Sequence, residues 1–133
     1  MTYLWVALGS ALGGVGRVAC ATLAERLWGA AFPWGTILVN IAGSFVIGFF
    51  ATLTMAAEGR FPLPGDARAF VMAGLCGGFT TFSAFSLQTL DLARDGRPGE
   101  ALANVALSVA LCLAAVAAGH YGAAALNGRG GAP

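Results

Sequence analysis

Phe82 and Phe85 stand three residues apart in the stretch Gly77-Gly78-Phe79-Thr80-Thr81-Phe82-Ser83-Ala84-Phe85-Ser86, which sets glycines, hydroxyls and rings inside an otherwise apolar run. Residues three apart share a helix face, so the two rings are expected side by side. An aromatic ring has a negative face and a positive edge. Ring edges can hold a small anion without a full positive charge that would trap it, and rapid conduction needs such weak, multi-site binding. The Gly77 to Thr81 segment also offers carbonyls released from helical bonding, and unwound carbonyls commonly coordinate sodium in membranes. The plainer reading is a glycine-rich crossing point in which phenylalanine fills space, and the residues alone do not choose between the two.

Other polar groups lie in apolar surroundings. Asn40 is an amide deep in an apolar run, where it serves either as glue between helices or as the lining of a polar path. Ser108 and Cys112, four apart, stack on one helix face. Arg17 is a cation at membrane depth, which pairs, snorkels or faces an aqueous vestibule. His120 has no second ligand nearby in sequence. Cys20, Cys76 and Cys112 show no paired spacing and read as small buried residues.

The elements that must position these groups follow from composition. Of 133 residues, 58% are hydrophobic and 10% charged, which is membrane-protein composition. About 20 apolar residues cross a bilayer, and four windows qualify: Tyr3 to Ala24, Leu27 to Ala57, Ala69 to Leu90 and Ala101 to Gly128. The expected fold is an all-α membrane protein, a single four-helix channel domain over 1–133, with the third helix broken near Gly77–Thr81. The first span lacks a basic leader region and is expected to be retained as a helix.

If four helices cross, Arg60, Arg68 and Arg129 lie on one side and Arg26, Arg94 and Arg97 on the other. Orientation normally follows an excess of Lys and Arg in cytoplasmic loops. With no excess the chain is expected to insert both ways and to pair with an inverted copy of itself, an antiparallel dual-topology homodimer. Four carbonyls from two inverted breaks would then converge on one cation. Seven arginines, no lysine and six acids form no basic tract, so nucleic acid is not an expected partner. Without lysine no P-loop is possible, and no HExxH or nucleophile elbow is present, so no enzyme is expected.

Gly14-Val15-Gly16-Arg17, Gly35-Thr36 through Val39-Asn40 with Gly43-Ser44-Phe45, and the Gly77 to Ser86 stretch together resemble the CrcB/Fluc fluoride channels, across all four spans in order. The TTFSxFS core is the specific part of that match. The resemblance implies a fluoride-selective channel of the cell inner membrane that lets cytoplasmic fluoride out passively and so confers fluoride resistance. It further implies two antiparallel pores in a dual-topology homodimer, with a structural sodium ion at its centre. Carried over by residue, Phe82 and Phe85 would be pore rings, Asn40 the amide donor to fluoride, and Ser108 a polar-track hydroxyl. Ser83 and Ser86 would be hydroxyl neighbours, Arg17 the vestibule arginine, and Gly77 and Thr80 the sodium-binding carbonyls. The chain departs from the family pattern at Ala84, Gln88, Asn104 and Cys112, where threonine, glutamate, tyrosine and a hydroxyl are common. Cys112 is a weak donor, so the outer polar track is expected to be thinner there or to use water.

The alternative is a small dual-topology, proton-coupled multidrug exporter. It needs a titratable carboxylate at membrane depth. All six acids (Glu25, Glu58, Asp66, Asp91, Asp95 and Glu100) lie in loops or at span ends.

Overall fold

The computed structural model describes residues 1–55 and 59–128. Among them there is no strand, and four helical stretches are long and apolar enough to cross a membrane. Helix α1 (Thr2–Trp28) stops where Gly29 takes a φ of 82°, a left-handed conformation that glycine adopts without steric cost. Leu27 and Trp28 therefore finish the first helix. The expectation that they open the second span is corrected: α2 (Trp34–Leu53) begins only after Pro33, which has no N–H to leave unpaired. The far end of that expected span, Ala56 and Ala57, lies outside the described residues, as do Glu58 and the Arg129 of the charge tally.

At the end of α2 the last carbonyls need donors from elsewhere. Arg68 supplies them: one guanidinium nitrogen lies 2.6 Å from the Thr54 carbonyl and 2.5 Å from Thr54 Oγ1. Arg68 belongs to the third span, which starts as α3 (Gly65–Ala69) and continues as π-helical turns over Phe70–Cys76 and a short α4 (Gly77–Phe79). The chain then breaks and resumes as α5 (Phe82–Arg94). A turn with Gly96 at φ 75° leads into α6 (Pro98–Gly128).

Small residues set the packing. A Cβ added to Gly9 would lie 2.9 Å from Gly74 Cα, and one added to Gly78 would lie 2.6 Å from the Ser10 carbonyl oxygen. The Gly9 and Gly13 step of α1 thus packs backbone to backbone against the π-helical turns and α4, as a GxxxG step allows. On the other side α6 lies against α2, where Gly119 sits on the Phe45 carbonyl and Gly48 on Val116. The buried apolar set is small, Ile37, Val39, Phe85 and Leu92 among it, while Tyr3, Leu12, Val15, Phe82 and Leu113 face outward. Outward apolar side chains suit a hydrocarbon solvent.

The break itself is shorter than expected. Gly77 has φ −63° and ψ −37°, and α4 keeps Gly77–Phe79 helical. Only Thr80 (φ −88°, ψ 158°) and Thr81 (φ −152°, ψ 115°) are extended. The expectation of an unwound Gly77–Thr81 segment is corrected at its first three residues. Gly78 is there for the approach of α1, and the unwinding belongs to the threonines.

Candidate functional site

Two extended residues in a membrane helix leave main-chain groups without helical partners, and each costs several kcal/mol in hydrocarbon unless satisfied. Asn40, from the middle of α2, answers for Thr81 on both sides. Its Oδ1 accepts the Thr81 N–H at 2.7 Å, and its Nδ2 donates to the Thr81 carbonyl at 3.0 Å. Thr81 in turn caps α5, its Oγ1 accepting the Ala84 N–H at 3.1 Å, the usual means of satisfying a first-turn donor. Thr80 folds back: its N–H and its Oγ1–H both donate to the Cys76 carbonyl, at 3.0 and 2.9 Å. Its methyl occupies the place where Gly43 has no side chain.

Beside this break opens a cavity of about 410 Å³. Its wall brings together Asn40, Gly77, Thr80, Phe82, Phe85, Ser108 and Cys112, seven of the residues singled out by type and spacing, and carries no charged side chain. Ser44, Cys76 and Thr81 complete its polar lining. The Phe82 and Phe85 rings meet as expected on one face of α5, centroids 5.2 Å apart and planes tilted by 51°. They differ in exposure. Phe85 is buried at 8%, whereas Phe82 is 78% exposed in the single chain.

Three expected residues stand elsewhere. Ser83 and Ser86 are exposed on α5 and do not line the cavity; Ser86 Oγ donates to the Phe82 carbonyl at 2.9 Å, and Ser83 Oγ lies 3.3 Å from Thr81 Oγ1. Arg17 is half-buried on α1, away from the lining, and its Nε has no hydrogen-bond partner. Gln88 lines a second, polar depression with Glu25, Asp91 and Arg97.

The residue types and spacing had not shown the string of polar groups behind the cavity. Ser108 Oγ donates to Asn104 Oδ1 at 3.4 Å, Asn104 Nδ2 donates to Thr89 Oγ1 at 2.8 Å, and Thr89 donates to the Phe85 carbonyl at 2.7 Å. Asn104 is only 1% exposed. Residue type marks Asn104 only as a departure from the family pattern, and it does not mark Thr89. The available signal was the pair of four-residue steps, Phe85 to Thr89 and Asn104 to Ser108, on two apolar helices.

A bundle of membrane-length helices around an uncharged, ring- and hydroxyl-lined cavity at a helix break defines a small polytopic membrane protein with room for a small solute beside the break. Residues 4–120 match the family model described as CrcB-like protein, Camphor Resistance (CrcB), and the chain belongs to that family. It is 56% identical over 132 residues to the fluoride-specific ion channel FluC of Methylocella silvestris, covering 99% of this chain and 100% of that protein. It is 58% identical over 125 residues to the protein of the same name from Opitutus terrae, covering 94% of each. With that of Rhodospirillum rubrum the identity is 55% over 127 residues, 96% of this chain and 98% of the relative.

Proposed function

We propose that this chain is a fluoride-selective channel of the inner membrane, not an enzyme, and that it works as an antiparallel dimer with two pores. The observation that carries the reading is the Phe82 and Phe85 ring pair set beside Asn40 and Ser108 on one uncharged cavity, in a chain whose near relatives are named for that activity. Fluoride is small and strongly hydrated, so a pore must replace its water with directional donors. Asn40 keeps one Nδ2 proton beyond the one given to Thr81, and Phe82 and Phe85 offer ring edges. A wall without fixed charge keeps the anion from being trapped. Neutral HF enters from a weakly acidic medium, ionises in the cytoplasm, and the anion leaves down its gradient.

Dimerisation is supported by the exposure of Phe82 on the cavity rim and by the even arginine tally across the expected sides. The same dimer suits a sodium ion at its centre. The N–H groups that would bond the Gly77 and Thr80 carbonyls in an unbroken helix are those of Thr81 and Ala84, and both are engaged elsewhere. Sodium held by such carbonyls from two copies would lock the breaks together and add positive potential near the anion path. No observation favours a proton-coupled exporter: among the described residues Glu25, Asp66, Asp91, Asp95 and Glu100 all lie at helix ends.

The test is fluoride efflux from liposomes carrying the purified protein, followed with a fluoride electrode, with chloride-loaded liposomes beside them. Fast fluoride release with chloride retained is the expected result. Silence from a verified, folded dimer would remove the channel reading.

A further inference from the structure

We infer that Asn40 is a positioning residue for the cation, holding the Gly77 carbonyl free while its remaining amide proton serves the anion. The inference rests on the sodium site proposed above. In an uninterrupted helix the N–H of each residue donates to the carbonyl four residues earlier. Thr81 would therefore claim the Gly77 carbonyl, and Ala84 would claim that of Thr80. The first claim is diverted by Asn40 Oδ1 at 2.7 Å and the second by Thr81 Oγ1 at 3.1 Å.

The two diversions differ in origin. Thr81 acts within its own turn as a helix cap, but Asn40 reaches across from α2, 41 residues away in sequence, and holds the Thr81 peptide through both its N–H and its carbonyl. Asn40 also lines the cavity with Phe82 and Ser108. One amide thus divides its atoms between two tasks. Oδ1 and one Nδ2 proton fix the break, and the second Nδ2 proton is left for a solute in the cavity. Cation and anion sites are coupled through a single side chain.

The test titrates sodium against the melting temperature of the purified dimer, with N-methylglucamine replacing sodium at constant ionic strength. A cation that binds only the folded dimer raises the melting point saturably. For Asn40→Ala the half-saturating sodium concentration should rise about tenfold, the worth of one hydrogen bond regained by the Gly77 carbonyl. Asn40→Asp keeps the acceptor for Thr81 N–H, so its half-saturation should stay at or below that of the wild type while fluoride efflux collapses. A merely structural role for Asn40 would lower the melting point at every sodium concentration without moving the half-saturation. That result, or loss of the sodium response in Asn40→Asp, overturns the inference. If Asn40→Ala does not fold, Asn40→Ser, whose shorter side chain withdraws the acceptor from Thr81 N–H, carries the same test: its half-saturating sodium concentration should rise as for Asn40→Ala, and an unshifted titration overturns the inference. A wild-type dimer indifferent to sodium would instead overturn the sodium reading, and the inference with it.

Discussion

The crossing of α1 with α4 sets how firmly the break is held, and Gly78→Ala perturbs it without touching the cavity wall. A Cβ at residue 78 would lie 2.6 Å from the Ser10 carbonyl oxygen, 2.8 Å from its Cα and 3.1 Å from its carbonyl carbon. All three are backbone atoms, so no rotamer relieves the clash, and ordinary contact begins near ~3.5 Å. The helices must separate by roughly half an ångström or more along a seam shared with Gly9, Gly13 and Gly74. Overpacking of this kind costs about 1–3 kcal/mol, against which alanine returns up to about 1 kcal/mol of helix propensity. The upper part of the range applies, because separation also loosens the neighbouring glycine contacts, which leaves a net loss of about 2 kcal/mol. Gly14→Ala is the control: nothing lies within 4 Å of its added Cβ, so only the propensity gain remains. Reversible unfolding in mixed detergent micelles, followed by circular dichroism, measures both. If Gly78→Ala is as stable as Gly14→Ala, backbone contact at this crossing is not what holds α4 in place.

Phe82→Ile should leave a folded dimer and cut fluoride efflux at least about tenfold; intact efflux would reject the ring-edge account at that position. Ser108→Ala should slow efflux several-fold, whereas Ser86→Ala should stay within about twofold of wild type, since Ser108 lines the cavity and Ser86 lies off its wall with its hydroxyl turned to the Phe82 carbonyl. Cys112→Ser, which sets a hydroxyl in place of a weak donor on the cavity wall, should raise the single-channel rate, and a lower rate would remove Cys112 from the path. Arg26→Gln with Arg94→Gln should fix one orientation and abolish efflux when expressed alone; co-expression with Arg60→Gln and Arg129→Gln should restore it, and activity of either variant alone would contradict the antiparallel dimer.

What could be read from the sequence was whatever local spacing or hydropathy encodes. The four helices follow from apolar length, and the Phe82 and Phe85 contact from a three-residue step. The limits of the helices were less legible. Leu27 and Trp28 are as apolar as α2, and only the positive φ of Gly29 assigns them to α1. Type and nearness to the rings single out Ser83 and Ser86, but neither lines the cavity: Ser83 stands about 100° round α5 from Phe82, and Ser86, one turn beyond Phe82, turns its hydroxyl back to the Phe82 carbonyl.

The misplacement of the break shows why the remainder was not legible. Glycine is the residue most tolerant of unwinding, so Gly77 and Gly78 drew the expected break to themselves. In the folded chain both keep a helical conformation, and the helix stops where competing acceptors are in reach. Thr81 N–H finds Asn40 Oδ1, and Ala84 N–H finds Thr81 Oγ1. A break in a membrane helix is located less by the residue that can bend than by the side chain that can replace the lost hydrogen bond, because hydrocarbon offers no substitute. The Thr81 cap is local, made by a hydroxyl three residues before Ala84. The Asn40 clamp joins two helices and exists only once α2 and the third span are packed. The polar atom that decides where the third helix breaks is therefore carried by the second.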